Sequence, residues 1–189
     1  MSRVQTKTDN SHFGEKVKLR VDNLPDKDPV LVLDMYAGSG RIWTEVKKIT
    51  GRNIEVIGIE KKKISGKVYL RGDNKKFVMD YDQFDIIDLD AYGVPFAQIE
   101  KIFAHGSCKK FITFITFIQS QWGVLPRGLL NSMGYTPAMI KKIPTIFNRT
   151  GQQKFLQYLG NKGVTTVRIY HTADFRKNYL CIKINEPHN

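Results

Sequence analysis

Cysteine is scarce in this sequence: Cys108 and Cys181 are the only two, far apart and without clustered histidines. That argues against a disulfide framework and against a Cys/His zinc centre, and both thiols read as small buried hydrophobes in a reducing compartment. Long apolar runs are missing too. The longest, over 111–118, is interrupted by Thr113 and Thr116 and falls far short of the roughly 20 apolar residues a membrane helix needs. The opening stretch is polar (Ser2, Arg3, Gln5, Lys7, Asp9, Asn10), so no secretory leader is expected and a cytoplasmic location is. Acidic side chains are also in deficit. Eighteen Asp and Glu face thirty Lys and Arg, leaving a formal net charge of +12 and a pI near 9.7. Such a surplus favours a polyanionic partner, because each cation laid on a phosphate releases condensed counterions. Against these absences, 41% hydrophobic and 25% charged residues in a chain of 189 are enough for one globular domain with its own core.

No repeat or low-complexity tract interrupts the chain. Val17, Leu19 and Val21 alternate with Lys18 and Arg20, the period of a half-exposed strand, before the prolines at 25 and 29. Residues 1–29 therefore read as a lead with a candidate strand, and 30–189 as the domain. Strands are predicted over 30–34, 54–59, 67–70, 84–89, 110–117, 164–170 and 178–184. Helices are predicted over 41–50, 75–81, 95–105 and 148–159. Strand–helix alternation argues for a parallel sheet covered by helices. The last two strands, joined by a short polar loop, are expected to be antiparallel. Residues 119–147 hold Pro126, Gly128, Gly134, Pro137 and Pro144 and read as an insertion of short helices and loops over the crevice.

The first strand runs into Asp34-Met-Tyr36-Ala-Gly38-Ser-Gly40. No Gly-Lys-Ser/Thr follows, which excludes a Walker loop. A dinucleotide fingerprint needs a third glycine where Trp43 stands, and the bulky indole disfavours that reading. The loop closely resembles the first motif of class I S-adenosylmethionine-dependent methyltransferases. The resemblance implies a three-layer Rossmann-like α/β sandwich, with a mostly parallel seven-stranded sheet and a C-terminal antiparallel hairpin. It implies S-adenosylmethionine as cofactor and no metal. Gly38 and Gly40 let the backbone pass close to the amino-acid end, with Asp34 supporting that end and Tyr36 shaping the pocket. Glu60, closing the second strand, is placed to accept from both ribose hydroxyls. Asp73 resembles the family's adenine-binding acid, although a helix N-cap explains it as well.

The fourth strand ends in Ile87-Asp88-Leu-Asp90-Ala91-Tyr92-Gly-Val-Pro95. This string is similar to the Asp-Leu-Asp-Pro-Phe/Tyr-Gly-x-Pro signature of tRNA guanine-N2 dimethyltransferases, with Ala91 replacing the proline. No counterpart of that family's additional C-terminal domain is expected. The resemblance implies an exocyclic base amine as target. Asp90 would orient the amine as an acceptor and Tyr92 would stack on the base. Asp88 is grouped with the cofactor residues, as a hydrogen-bonding rather than reacting side chain. Arg127, Lys141, Lys142 and Arg149 are the expected nucleic-acid contacts, with RNA preferred over DNA. An N6-adenine DNA methyltransferase and a non-catalytic methyltransferase-like binding subunit are the alternatives. His105 and His171 read as structural or solvated, Lys47, Lys48 and Lys61–63 as solvated faces, and Phe111, Phe114 and Phe117 as mostly core.

Overall fold

The computed structural model describes residues 12–63, 69–77, 79–91, 93–104, 111–118, 127–164, 166–171 and 177–183. Helix α1 (Phe13–Val21) comes first, then β1 (Val30–Asp34), α2 (Arg41–Thr50), β2 (Ile54–Glu60) and the short β3 (Leu70–Arg71). A 3-10 turn at Tyr81–Gln83 leads into β4 (Ile86–Leu89), α3 (Phe96–Ala104) and β5 (Ile112–Ile118). The rest is helical, in α4 (Arg127–Ser132), α5 (Pro137–Lys142) and α6 (Ile146–Asn161), until β6 (Thr166–His171) and β7 (Lys177–Lys183) close the chain.

Seven strands form one sheet in the order β3-β2-β1-β4-β5-β7-β6. The first five run parallel. Strand β7 enters antiparallel between β5 and β6. The expected mixed sheet with its C-terminal hairpin is thus present. Because side chains alternate across a strand, the sheet presents two apolar faces. Val30, Val32, Ile86, Phe114 and Cys181 pack with Val17 of α1 and Trp43 and Val46 of α2. Leu33, Ile87, Leu89, Ile115 and Phe117 pack with Ile99 of α3 and Phe155 and Leu159 of α6. Phe111, Phe114 and Phe117 are all buried, as expected. Burial pushes the Cys181 thiol up to about 11, so it behaves as a hydrophobe; Cys108 lies outside the described residues.

Two expectations fail. The segment around 17–21 is helix, not strand. Its alternating valines are overridden by a helical stripe in which Val17 and Arg20 are the buried pair, while Lys16 and Arg20, one turn apart, reach the sheet together. The helix expected over 75–81 is also absent among the described residues. A turn at 74–76 stands there instead, because Asn74 turns inward to hydrogen-bond the Met35 carbonyl at 2.7 Å and the Gln98 side chain at 2.7 Å. Between β5 and α6 the described residues form the short helices α4 and α5. Thr136 caps α5 through Met139 N–H at 3.2 Å, with Pro137 in its first turn, while Leu130, Met133 and Tyr135 plug the core.

Candidate active site

All the parallel strands end at one edge of the sheet, where α/β folds bind their ligands. Strand β1 ends there in Asp34, a residue 6% exposed whose carboxylate accepts the Tyr36 N–H at 3.1 Å. The chain then turns tightly. Gly38 has φ +50° and Gly40 has φ +68°, left-handed values that glycine adopts without strain, and Gly40 starts α2 from that conformation. Glu60 grips the loop from β2. Its Oε2 accepts the Gly38 N–H at 3.0 Å and its Oε1 the Lys62 N–H at 2.9 Å. Each oxygen keeps a second lone pair for another donor. Tyr36 leans on Asn74, and burial pushes its phenol up to about 12.

The acids of the fourth strand are held from α1. Asp88 is 1% exposed and register-paired with Asp34. Arg20 Nε and Nη2 each donate to one of its oxygens at 2.7 Å, and the Trp43 indole N–H donates to Oδ2 at 2.9 Å. Asp88, grouped from sequence with the cofactor residues, thus has both carboxylate oxygens engaged by Arg20 and Trp43 inside the fold. Trp43, read from sequence only as an obstacle to a dinucleotide, is the partner of that acid. Asp90 lies one sheet position further. Lys16 Nζ donates to both of its oxygens at 2.8 and 2.9 Å, and the Thr116 hydroxyl also donates to it. The Ala91 N–H donates to the Leu89 carbonyl at 2.8 Å, a three-residue turn around Asp90 that proline, lacking the N–H, could not make.

These contacts sort the charges. Burial pushes the Asp34 carboxyl well above the carboxylate range, and the Asp88 charge beside it adds to this. For Asp90 burial pulls upward as well, but Arg20 and Lys16 outweigh it and hold the carboxyl below its ordinary value. Burial lowers the Arg20 guanidinium, yet Asp88 more than offsets this and the net shift is upward. The crevice thus carries one reluctant acid at the glycine loop and one firmly ionised acid at the fourth-strand loop.

The remaining expected residues are more scattered. Asp73 Oδ1 accepts the Lys75 N–H at 3.0 Å, the turn-capping role. Its neighbour Asn74, which sequence reasoning passed over, is the residue bonded into the crevice floor. Tyr92 and His105 lie outside the described residues. Arg127 opens α4, and Lys141, Lys142 and Arg149 are exposed on α5 and the start of α6. His171 Nδ1 sits 2.5 Å from Asn178 Oδ1, away from the glycine loop. Lys16, Arg20 and Tyr69 were also missed. For Tyr69 the nearest signal is Gly58, a lone glycine inside a strand pattern, which marks a close approach by something else; Lys16 and Arg20 have none. Among the described residues no Asp, Glu, His or Cys cluster is arranged for a metal ion, and no helix is long and apolar enough to cross a membrane.

Backbone glycines at positive φ, a buried carboxylate and a second carboxylate with free lone pairs suit a ligand with an ammonium and a vicinal diol, and the residues present fit S-adenosylmethionine. No known family profile matches the sequence, and no curated protein matches it. Solved structures do match in shape. An S-adenosylmethionine-dependent methyltransferase from Aquifex aeolicus is 12% identical with a TM-score of 0.51, over 94% of this chain and 100% of that one. Phosphoethanolamine N-methyltransferase 2 of Haemonchus contortus, solved with S-adenosyl-L-methionine, is 9% identical with a TM-score of 0.56, over 92% of this chain and 53% of that one. The methyltransferase subunit of a Streptococcus thermophilus type I restriction-modification system is 10% identical with a TM-score of 0.55, over 97% and 45%. The architecture is that of the Rossmann-like S-adenosylmethionine-dependent methyltransferases.

Proposed function

We propose that this protein is an S-adenosylmethionine-dependent methyltransferase acting on an exocyclic amine of a nucleic-acid base, with RNA as the polymer. The observation that carries the reading is the placement of Asp90. It is an ionised acceptor at the end of β4, on the same edge as the glycine loop and Glu60. A nitrogen donor, Lys16, already lies across both of its oxygens. When bound, the cofactor supplies an electrophilic methyl group on its sulfonium. Gly38 and Gly40 admit its amino-acid end beside Asp34, and Glu60 receives the ribose. Asp90 accepts an N–H of the target amine, which turns the nitrogen lone pair towards the methyl group. Tyr92 stacks on the base, which leaves its helix most easily where it is already unpaired.

Charge supports a polyanion. Between Glu100 and Asp174 the sequence has no acidic residue and ten Lys or Arg, and three of those, Lys141, Lys142 and Arg149, are exposed on elements that follow β5 from the crevice edge. The test is nucleoside mass spectrometry after incubation with S-adenosylmethionine and, separately, tRNA, rRNA and DNA. A methylated exocyclic amine from RNA is expected. Methylation of N6-adenine in DNA would move the reading to the DNA enzyme, and transfer to none of the three would sink it. Replacing Lys141, Lys142 and Arg149 by Gln is expected to reduce the slope of log affinity against log salt by about 2 on single-stranded RNA.

A non-catalytic methyltransferase-like subunit is the second reading, favoured by the Lys16 ammonium standing where the amine would bind and by Ala91. It predicts cofactor or RNA binding with no transfer in the same assay.

The cofactor pocket also carries a pH signature. Asp34 accepts an ammonium well only when ionised, and its carboxyl lies above the usual range. Affinity for S-adenosylhomocysteine is therefore expected to rise as pH rises through the Asp34 titration, with proton release on binding. Its own linkage runs the opposite way. An acid raised in the folded state favours the fold at low pH and loses that contribution as it ionises. Calorimetry in buffers of different ionisation enthalpy measures the proton count, and Asp34→Asn should abolish it.

A further inference from the structure

Tyr69 lies at the start of β3 and reaches across β2 into the glycine loop. Its ring covers Gly58 so closely that a Cβ there would meet ring carbons at 2.5 and 2.9 Å. The ring also lies against the same wall as Ala37, whose Cβ would be 2.8 Å from that added atom. A Cβ on Gly40 would stand 3.3 Å from the Tyr69 hydroxyl. Gly58 pairs in register with Asp34, so the ring covers the strand position beside the buried acid. The hydroxyl at its tip is buried with no hydrogen-bond partner among the described residues. Buried hydroxyls are nearly always satisfied, and an orphan asks for an explanation. Packing alone does not supply one, because phenylalanine would cover Gly58 equally well without burying an O–H. Burial, and behind it the charges of Asp34 and Glu60, push this phenol up. It is a donor at neutral pH.

The amino-acid end of the cofactor is a zwitterion. Asp34, once ionised, can accept from its ammonium, but a carboxylate needs a donor, and an ionised Asp34 or Glu60 has none to give. We propose that Tyr69 is a cofactor-positioning residue whose hydroxyl donates to the carboxylate of S-adenosylmethionine, completing with Asp34 a two-point grip on the amino-acid end. The inference rests on the cofactor reading above. It extends the site to the third strand, and it accounts for glycine at position 58, where any side chain would push the phenol out of the crevice.

The test compares the full chain with Tyr69→Phe by calorimetry against two ligands, S-adenosylhomocysteine and 5′-methylthioadenosine, which lacks the amino-acid end. Tyr69→Phe is expected to bind S-adenosylhomocysteine about tenfold more weakly, the scale of one hydrogen bond to a charged group. Its affinity for 5′-methylthioadenosine and its thermal midpoint should match the parent. Equal affinity of the two proteins for S-adenosylhomocysteine would overturn the proposal, as would an equal loss for both ligands. A parent chain that binds neither ligand would instead overturn the cofactor reading, and this inference with it.

Discussion

Arg20→Met is expected to cost about 3–5 kcal/mol of folding stability, the scale on which breaking a buried ion pair from one side operates. The reason is geometric. Asp88 is 1% exposed and Arg20 2% exposed, and the pair is bidentate at 2.7 Å. Without the guanidinium, only the Trp43 N–H remains on the Asp88 carboxylate. Asp88 would then share an apolar layer with Asp34, already reluctant to ionise. Urea unfolding measures the loss, and a change below about 1 kcal/mol would contradict the assignment. Arg20→Met combined with Asp88→Leu should recover much of it, since an apolar pair of similar volume avoids the desolvation of both charges. The double variant separates the cost of an unpaired charge from the worth of the pair.

Asp90→Ala is expected to reduce methyl transfer by a factor on the order of 10²–10³, the scale for removing one positioned polar group from a reacting centre. Affinity for S-adenosylhomocysteine should stay within about twofold, because the glycine loop, Asp34 and Glu60 are untouched. That split distinguishes a residue at the target amine from one that builds the cofactor pocket, and full retention of activity would remove Asp90 from the site. Asp90 is held below the ordinary carboxylate range by Arg20 and Lys16, against burial. The stability it contributes is therefore present above its unfolded value and is lost as pH falls through the native one. No acid limb from Asp90 is expected in the rate profile near neutrality.

Much of the domain was legible because its signals are local. The apolar run over 30–34 and the following glycines define a buried strand and a tight turn within a dozen residues. The hairpin of β6 and β7 could be read in the same way, from two short apolar runs around a polar loop. Segment 17–21 was misread because its strand-like alternation is also what a helix with one buried stripe can show over five residues. Asp73 was read as the adenine-binding acid because a carboxylate matches the resembling motif, whereas the chain points the neighbouring Asn74 amide inward and leaves the acid to cap its own turn. Lys16, Arg20 and Tyr69 were passed over because their roles depend on partners 74, 68 and 11 residues away in sequence. Nothing in their immediate neighbours announces those partners.

By itself, the order of amino acids determined the strand–helix rhythm, the left-handed glycines of the loop and the acids that close β1, β2 and β4, since each depends on neighbours within a turn or a strand. The tertiary structure alone decided how each of those acids is partnered. Asp34, Asp88 and Asp90 look alike in sequence. Once the sheet registers Asp34 beside Asp88 and α1 lays Arg20 and Lys16 across the strand ends, one becomes a reluctant acid, one a buried structural partner and one an ionised acceptor. Desolvation and Coulomb energy depend on distance in space, and the fold sets that distance.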